Sequence, residues 1–125
     1  MKVTVKTTVD TAKLAAIDAA AQRALALTAE VIHGQVVQAQ VMPFRTGHLQ
    51  NESTFVDQSG ASEGHVDIVS ATPYARRLYF HPEYNFDHTN NPSAGGMWFE
   101  PWANGEYSES ATATFAALLK REAGL

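Results

Sequence analysis

From Thr11 to about Gln40, apolar side chains return every three or four positions: Leu14, Ile17, Ala21, Ala24, Leu25, Thr28, Val31, Ile32 and Val36. That spacing puts one stripe on a long amphipathic helix, and the residues between are mostly Ala, Leu, Gln and Glu, strong helix formers. Asp10 or Thr11 can cap its start, since either side-chain oxygen can accept from an unpaired backbone N–H. Pro43 ends it, because proline disfavours helical geometry in the residue before itself, and Gly34 is a candidate bend. At 1.5 Å per residue the helix would run roughly 45 Å. That is too long for so small a domain to cover, so one end is expected to project or to pack on another subunit. Before it, Val3, Val5 and Val9 share one parity and Lys2 and Lys6 the other, so residues 2–9 predict a half-buried strand.

Beyond the helix the period shortens. Residues 43–49 form a tight loop in which Gly47 can take a positive φ. Asn51–Val56 and His65–Ser70 predict two strands around a polar, glycine-bearing connection at 57–64. Val66 and Ile68 share one strand face and Asp67 lies on the other. Tyr74–Phe80 fits either a short helix or an extended segment. From Gly105 a final amphipathic helix turns Ala111, Phe115, Leu118 and Leu119 inward and Glu109, Lys120, Arg121 and Glu122 outward, and Gly124 stops it. The order predicts a single α+β domain over 1–125: a small antiparallel sheet packed with one long N-terminal helix and a C-terminal helix, plus a long aromatic-rich loop.

That loop carries no period at all, yet eight of the twelve aromatic residues and three of the five prolines fall between Tyr74 and Trp102. Eight rings carry more than about 1,200 Å² of surface. At about 25 cal/mol per Å² the gross burial term is on the order of 30 kcal/mol, an upper bound before ordering costs. An irregular loop seldom buries that much against its own small domain, so the stretch reads as a docking surface. The candidate contact residues are Arg45, Tyr74, Arg76, Arg77, Tyr79, Phe86, Trp98, Phe99 and Trp102. Arg and Tyr combine large contact area with hydrogen bonding, which is why they recur at binding hot spots. On this reading Trp98→Ala combined with Trp102→Ala leaves a folded monomer and impairs assembly. The plainer alternative is that some of these rings cap the domain's own core.

Composition narrows the chemistry. The chain has 45% apolar residues, a net charge of −4 and no cysteine. The absence of cysteine excludes disulfides and thiolate chemistry, and the acidic balance argues against a general nucleic-acid binder, which needs a basic face. The start has no signal-peptide hydrophobic segment, and no apolar run approaches the roughly 18 residues needed for a membrane span. His81, Glu83, Asp87 and His88 supply imidazole and carboxylate within eight residues, a conceivable zinc or manganese shell. Their spacing matches no established metal motif, and polar residues keeping an aromatic loop soluble is the simpler account. His48 beside Arg45 and Thr46 offers an anion-binding turn, but the simpler account is that Arg45 and Thr46 fix the loop or contact a neighbour. No nucleophile elbow, phosphate loop, dinucleotide fingerprint or His-Glu-x-x-His is present. No catalytic residue, metal ligand or cofactor site is assigned.

Two segments carry a resemblance. Met42-Pro43-Phe44-Arg45-Thr46-Gly47-His48-Leu49-Gln50-Asn51 resembles the Val-Pro-hydrophobic-x-Thr-Gly-x-Leu-x-x-Ser signature of tailed-phage minor capsid and tail-completion proteins. Thr72-Pro73-Tyr74-Ala75-Arg76-Arg77-Leu78-Tyr79-Phe80 resembles their later Pro-Tyr-Ala-Arg-x-x-Tyr segment, followed here by Asn85-Phe86 and Trp98. The order of elements is similar over nearly the whole chain. His48 stands where the family often has a small residue, and Ser53 is displaced from the signature's serine. The resemblance implies a non-enzymatic virion component, assembled in the host cytoplasm and built into a ring at the head–tail junction. Its implied partners are further copies of itself and other neck, connector or tail proteins, with DNA passing through the lumen without specific binding and no membrane. Two other readings stand beside it: a small metal-dependent hydrolase or nuclease using His81, Glu83 and His88, and a monomeric ligand-binding domain with an aromatic pocket.

Overall fold

A computed structural model describes residues 2–4 and 10–125. The expected strand at 2–9 lies outside these residues except for Lys2–Thr4, which are exposed and in no regular element. The described elements are helix α1 (Thr11–Gln38), strands β1 (Thr54–Asp57) and β2 (Asp67–Ser70), and helices α2 (Ala75–Tyr79), α3 (Glu100–Ala103) and α4 (Ser108–Ala123). The fold is α+β, with a two-stranded antiparallel sheet, a long first helix and a C-terminal helix.

Asp10 caps α1, accepting from the Ala12 and Lys13 amides at 3.1 Å each. The helix spans 28 residues, about 42 Å. Gly34 lies inside it with open space around it. The helix stops slightly before its expected end, and Gln40 turns the chain at φ 56°. α4 runs back antiparallel along α1: α3, just before it, brings Trp102 to Gln35, and its last turn brings Glu122 to Arg23 at 3.1 Å. Glu122, expected on the outer face, is therefore half-buried and paired. On α1, the small residues Ala20, Ala24 and Thr28 are buried. Phe115, Leu118 and Leu119 of α4 are only half-buried.

The stripe read along α1 is covered over part of its length. Every residue from Thr11 to Ala19 is exposed, and Leu14 and Ile17 stand 53% and 40% open. Beyond them the buried positions are Ala20, Ala24, Thr28, Ala29 and Val36. The start of α1 projects for nine residues, about 13 Å.

The strands are shorter than their sequence signal. Asn51 and Glu52 belong to a wide π-type turn, His48–Glu52, where Ser53 N donates to His48 O at 2.9 Å. The sheet register pairs Phe55 with Val69 and Val56 with Ile68. Two strands alone are marginal in water, and this pair is held by the core beneath it. That core contains Val36, Met42, Leu49, Ala75, Trp98 and Trp102, with Ile32, Val41, Leu78, Tyr79 and Phe99 packed against it.

The docking expectation for the two tryptophans is therefore corrected. Trp98 is 2% exposed and Trp102 7%, and both indole N–H groups are satisfied internally. Trp102 Nε1 donates to Gln35 Oε1 at 3.0 Å. Trp98 Nε1 donates to Ser70 Oγ at 3.4 Å, Ser70 lies 2.9 Å from Thr54 Oγ1, and Thr54 donates to the Leu49 carbonyl at 2.7 Å. Since each hydroxyl has one proton, the relay runs from the indole through two hydroxyls to a backbone oxygen. The physical reason is volume. An alanine-rich helix and a four-residue strand pair present little bulk, so the irregular stretch must supply the large side chains that fill the centre.

Candidate functional site

A groove of about 670 Å³ is walled by Pro43–Leu49, by Tyr74 and Leu78, and by Asn85–Asp87. The three walls come from distant parts of the chain, and identifiable bonds tie the aromatic loop to the segments flanking the first. Asn91, buried, donates to the Met42 carbonyl and to Gln50 Oε1, each at 2.8 Å. Gly95 N donates to Val41 O at 3.1 Å. The aromatic loop is thereby clasped to the segment that carries the Thr-Gly turn.

The first wall depends on Gly47. Its φ is 84°, and a β-carbon there would meet the Phe44 ring at 2.9 Å, so any side chain would displace Phe44 from the wall. Thr46 fixes the same turn by accepting from the His48 amide at 3.4 Å. The His48 ring is committed locally, with Nδ1 2.7 Å from Glu52 Oε2 and Nε2 3.1 Å from Ser53 Oγ. The segment resolves as α2 in its helical alternative, and Tyr74 and Leu78 share a groove wall because they are four residues apart on one helical face. On the third wall, Asp87 accepts from the Thr89 hydroxyl at 2.6 Å and from the Thr89 amide at 2.9 Å. These hydrogen bonds hold its carboxyl below the usual range, and the charges of His88 and Arg45 push the same way. Arg45 is exposed and forms no ion pair among the described residues.

Eight of the nine expected contact residues separate into three groups. Arg45, Tyr74 and Phe86 meet in the groove. Tyr79, Phe99 and Arg76 border a smaller recess of about 200 Å³ beside Phe80 and Trp98. There the Tyr79 ring lies edge-on to Trp98 at 4.8 Å and to Phe80 at 5.1 Å. Burial, then the Glu100 carboxylate, pushes the Tyr79 phenol up. Arg77 stands apart, donating to Tyr84 Oη at 3.1 Å with its guanidinium 5.9 Å from that ring. That bond holds its pKa above the ordinary value. Trp102 belongs to none of these groups, and Trp98 reaches the recess only as its floor.

The histidines of the metal alternative diverge. His81 stacks on Tyr84 at 4.7 Å and holds Glu83 at 2.7 Å, which keeps the Glu83 carboxyl low. His88 Nε2 instead donates to the Ala94 carbonyl at 2.9 Å. Among the described residues no three His, Asp or Glu side chains converge as a metal-ion shell. No described helix is long and apolar enough to cross a membrane.

Sequence reasoning missed Leu78 and Leu49 as groove residues and Asn91 as the clasp. The spacing of Tyr74 and Leu78 was a usable signal once α2 was taken as helical. Nothing local marks Asn91, whose partners lie 41 and 49 residues away. Comparison with protein-family models, curated proteins and solved structures gave no match.

Proposed function

We propose that this protein is a structural subunit of a tailed-phage or prophage particle, forming part of a ring at the head–tail junction through contacts with copies of itself and with neck or tail proteins. The observation that carries the reading is the groove. The two segments that resemble the minor capsid and tail-completion signatures lie far apart in sequence, yet both supply its walls. Residues kept together for a shared surface are expected to meet in this way. The start of α1 adds a second exposed apolar surface, Leu14 and Ile17, at the other end of the helix. A closed ring needs two different patches per subunit, one meeting the other on the next copy. DNA would pass such a ring without specific binding, in keeping with the net charge of −4.

Deleting the gene from its phage or prophage and examining the lysate by electron microscopy tests this. The expected result is filled heads and separate tails, rescued by the wild-type gene. Intact infectious particles from the deletion would overturn the reading. A second reading, a ligand-binding domain, draws on the groove's volume and on Phe44, Tyr74 and Phe86 in its walls, since small-molecule sites fall in this size range. Saturable binding of a small ligand to a persistently monomeric protein, lost in Phe86→Ala, would favour it instead.

A further inference from the structure

We propose that the exposed start of α1 in one copy seats in the groove of the next, so that the subunits join head to tail. The inference rests on the assembly reading and names the contact that would build it. Leu14 and Ile17 are three residues apart, so they project from one face of the helix. They continue the stripe whose Ala20, Ala24 and Thr28 are buried further along, and both stand exposed, as Val31 does near the other end. A helix presenting anchors at this spacing fits an apolar groove, a recurrent mode of recognition. Phe44, Leu49, Tyr74, Leu78 and Phe86 provide such a groove.

Charge favours this occupant. At 100° per residue, Lys13 and Asp18 flank the Leu14–Ile17 stripe on opposite sides. The groove offers the converse pair, Arg45 and Asp87, on separate walls. Arg45 makes no ion pair among the described residues. Seating the helix with Asp18 toward Arg45 and Lys13 toward Asp87 satisfies both signs at once, while the reversed orientation opposes like charges. Geometry excludes self-docking. The groove begins just beyond the far end of α1, roughly 35 Å from Ile17 along the helix, so one copy cannot fill its own groove. The contact is heterologous, and successive copies close a ring or extend a filament. Two anchors and two exposed ion pairs make a small interface, so each contact is weak and assembly depends on closure.

The chain has no cysteine, which makes cross-linking unambiguous. A Thr11→Cys copy and an Asn85→Cys copy, which keep both anchors and the apolar lining, one carrying a mass tag, are mixed at millimolar concentration and treated with a short bis-maleimide. Mixed dimers are expected to exceed same-variant dimers by roughly tenfold, and Leu14→Ser in the first copy should reduce them by a similar factor. Arg45→Glu should reduce the mixed product a few-fold, and Asp18→Lys in the partner copy should restore it. Cross-links confined to Thr11→Cys pairs would overturn the proposal, as would a mixed yield no higher than that of a control cysteine at exposed Glu109. The test reads purified protein alone. If the deletion phage assembles normally while the mixed dimer forms, the function falls and the contact stands; the opposite pair of results removes the contact only.

Discussion

The aromatic stretch from Tyr74 to Trp102 and the first nine residues of α1 make an instructive contrast. The stretch is rich in rings and irregular, and its two indoles are turned inward while Tyr74 and Phe80 stay exposed. The helix start is regular and modest in composition, with one leucine and one isoleucine, yet it stands open. Apolar content does not decide which surface docks. What decides is whether the fold places cover over it and gives its polar atoms partners. Trp98 and Trp102 have both; Leu14 and Ile17 remain exposed.

The sharpest way to break this contrast is to truncate an indole. Trp98→Ala is expected to cost about 3–5 kcal/mol, the range for removing a fully buried large ring, and Trp102→Ala somewhat less because it lies nearer the surface. Chemical denaturation would read both as lower midpoints. The double variant should lose cooperative unfolding altogether, contrary to the folded monomer expected from sequence. A wild-type midpoint in either single variant would return that indole to the surface.

Next comes the clasp. Asn91→Ala removes a buried donor and leaves the Gln50 side chain and the Met42 carbonyl without it, a loss of about 1–3 kcal/mol. Because Asn91 ties the loop to the groove, hydrogen exchange should rise at 84–97 before global unfolding, whereas a purely global loss would raise exchange evenly.

At the helix start the expected stability change is small. Leu14→Ser and Ile17→Ser should each stay within about 0.5 kcal/mol of wild type while weakening association. A drop in melting temperature comparable to that of Trp98→Ala would show that the segment is covered after all.

The smallest effect is electrostatic. Hydrogen bonds from Arg23 and then Arg121 hold the Glu122 carboxyl below the usual range. A carboxyl depressed by folding contributes stability above its unfolded pKa and loses it as pH falls through the folded value. Stability should therefore decline on acidification below the ordinary glutamate range, and Glu122→Gln should flatten part of that slope. An unchanged slope would assign the acid sensitivity to Asp57, Glu83 and Asp87, whose carboxyls are also lowered by local hydrogen bonds.

The long helix, its cap at Asp10 or Thr11, the Thr-Gly turn and the stop at Gly124 were legible because each is local. Periodicity, a capping oxygen and a residue tolerating positive φ act within a few positions of chain. The same locality supports the α+β order and the two paired strands, although the π-type turn after Gly47 took the first residues expected in β1. Tertiary structure alone decided which end of α1 lies bare, that the tryptophans face inward, and that the groove forms at all. Those outcomes depend on where α4 ends against α1 and on bonds spanning dozens of residues, such as Asn91 to Met42 and Trp102 to Gln35. Burial is a property of what lies opposite a side chain in space, and sequence spacing does not encode that neighbour.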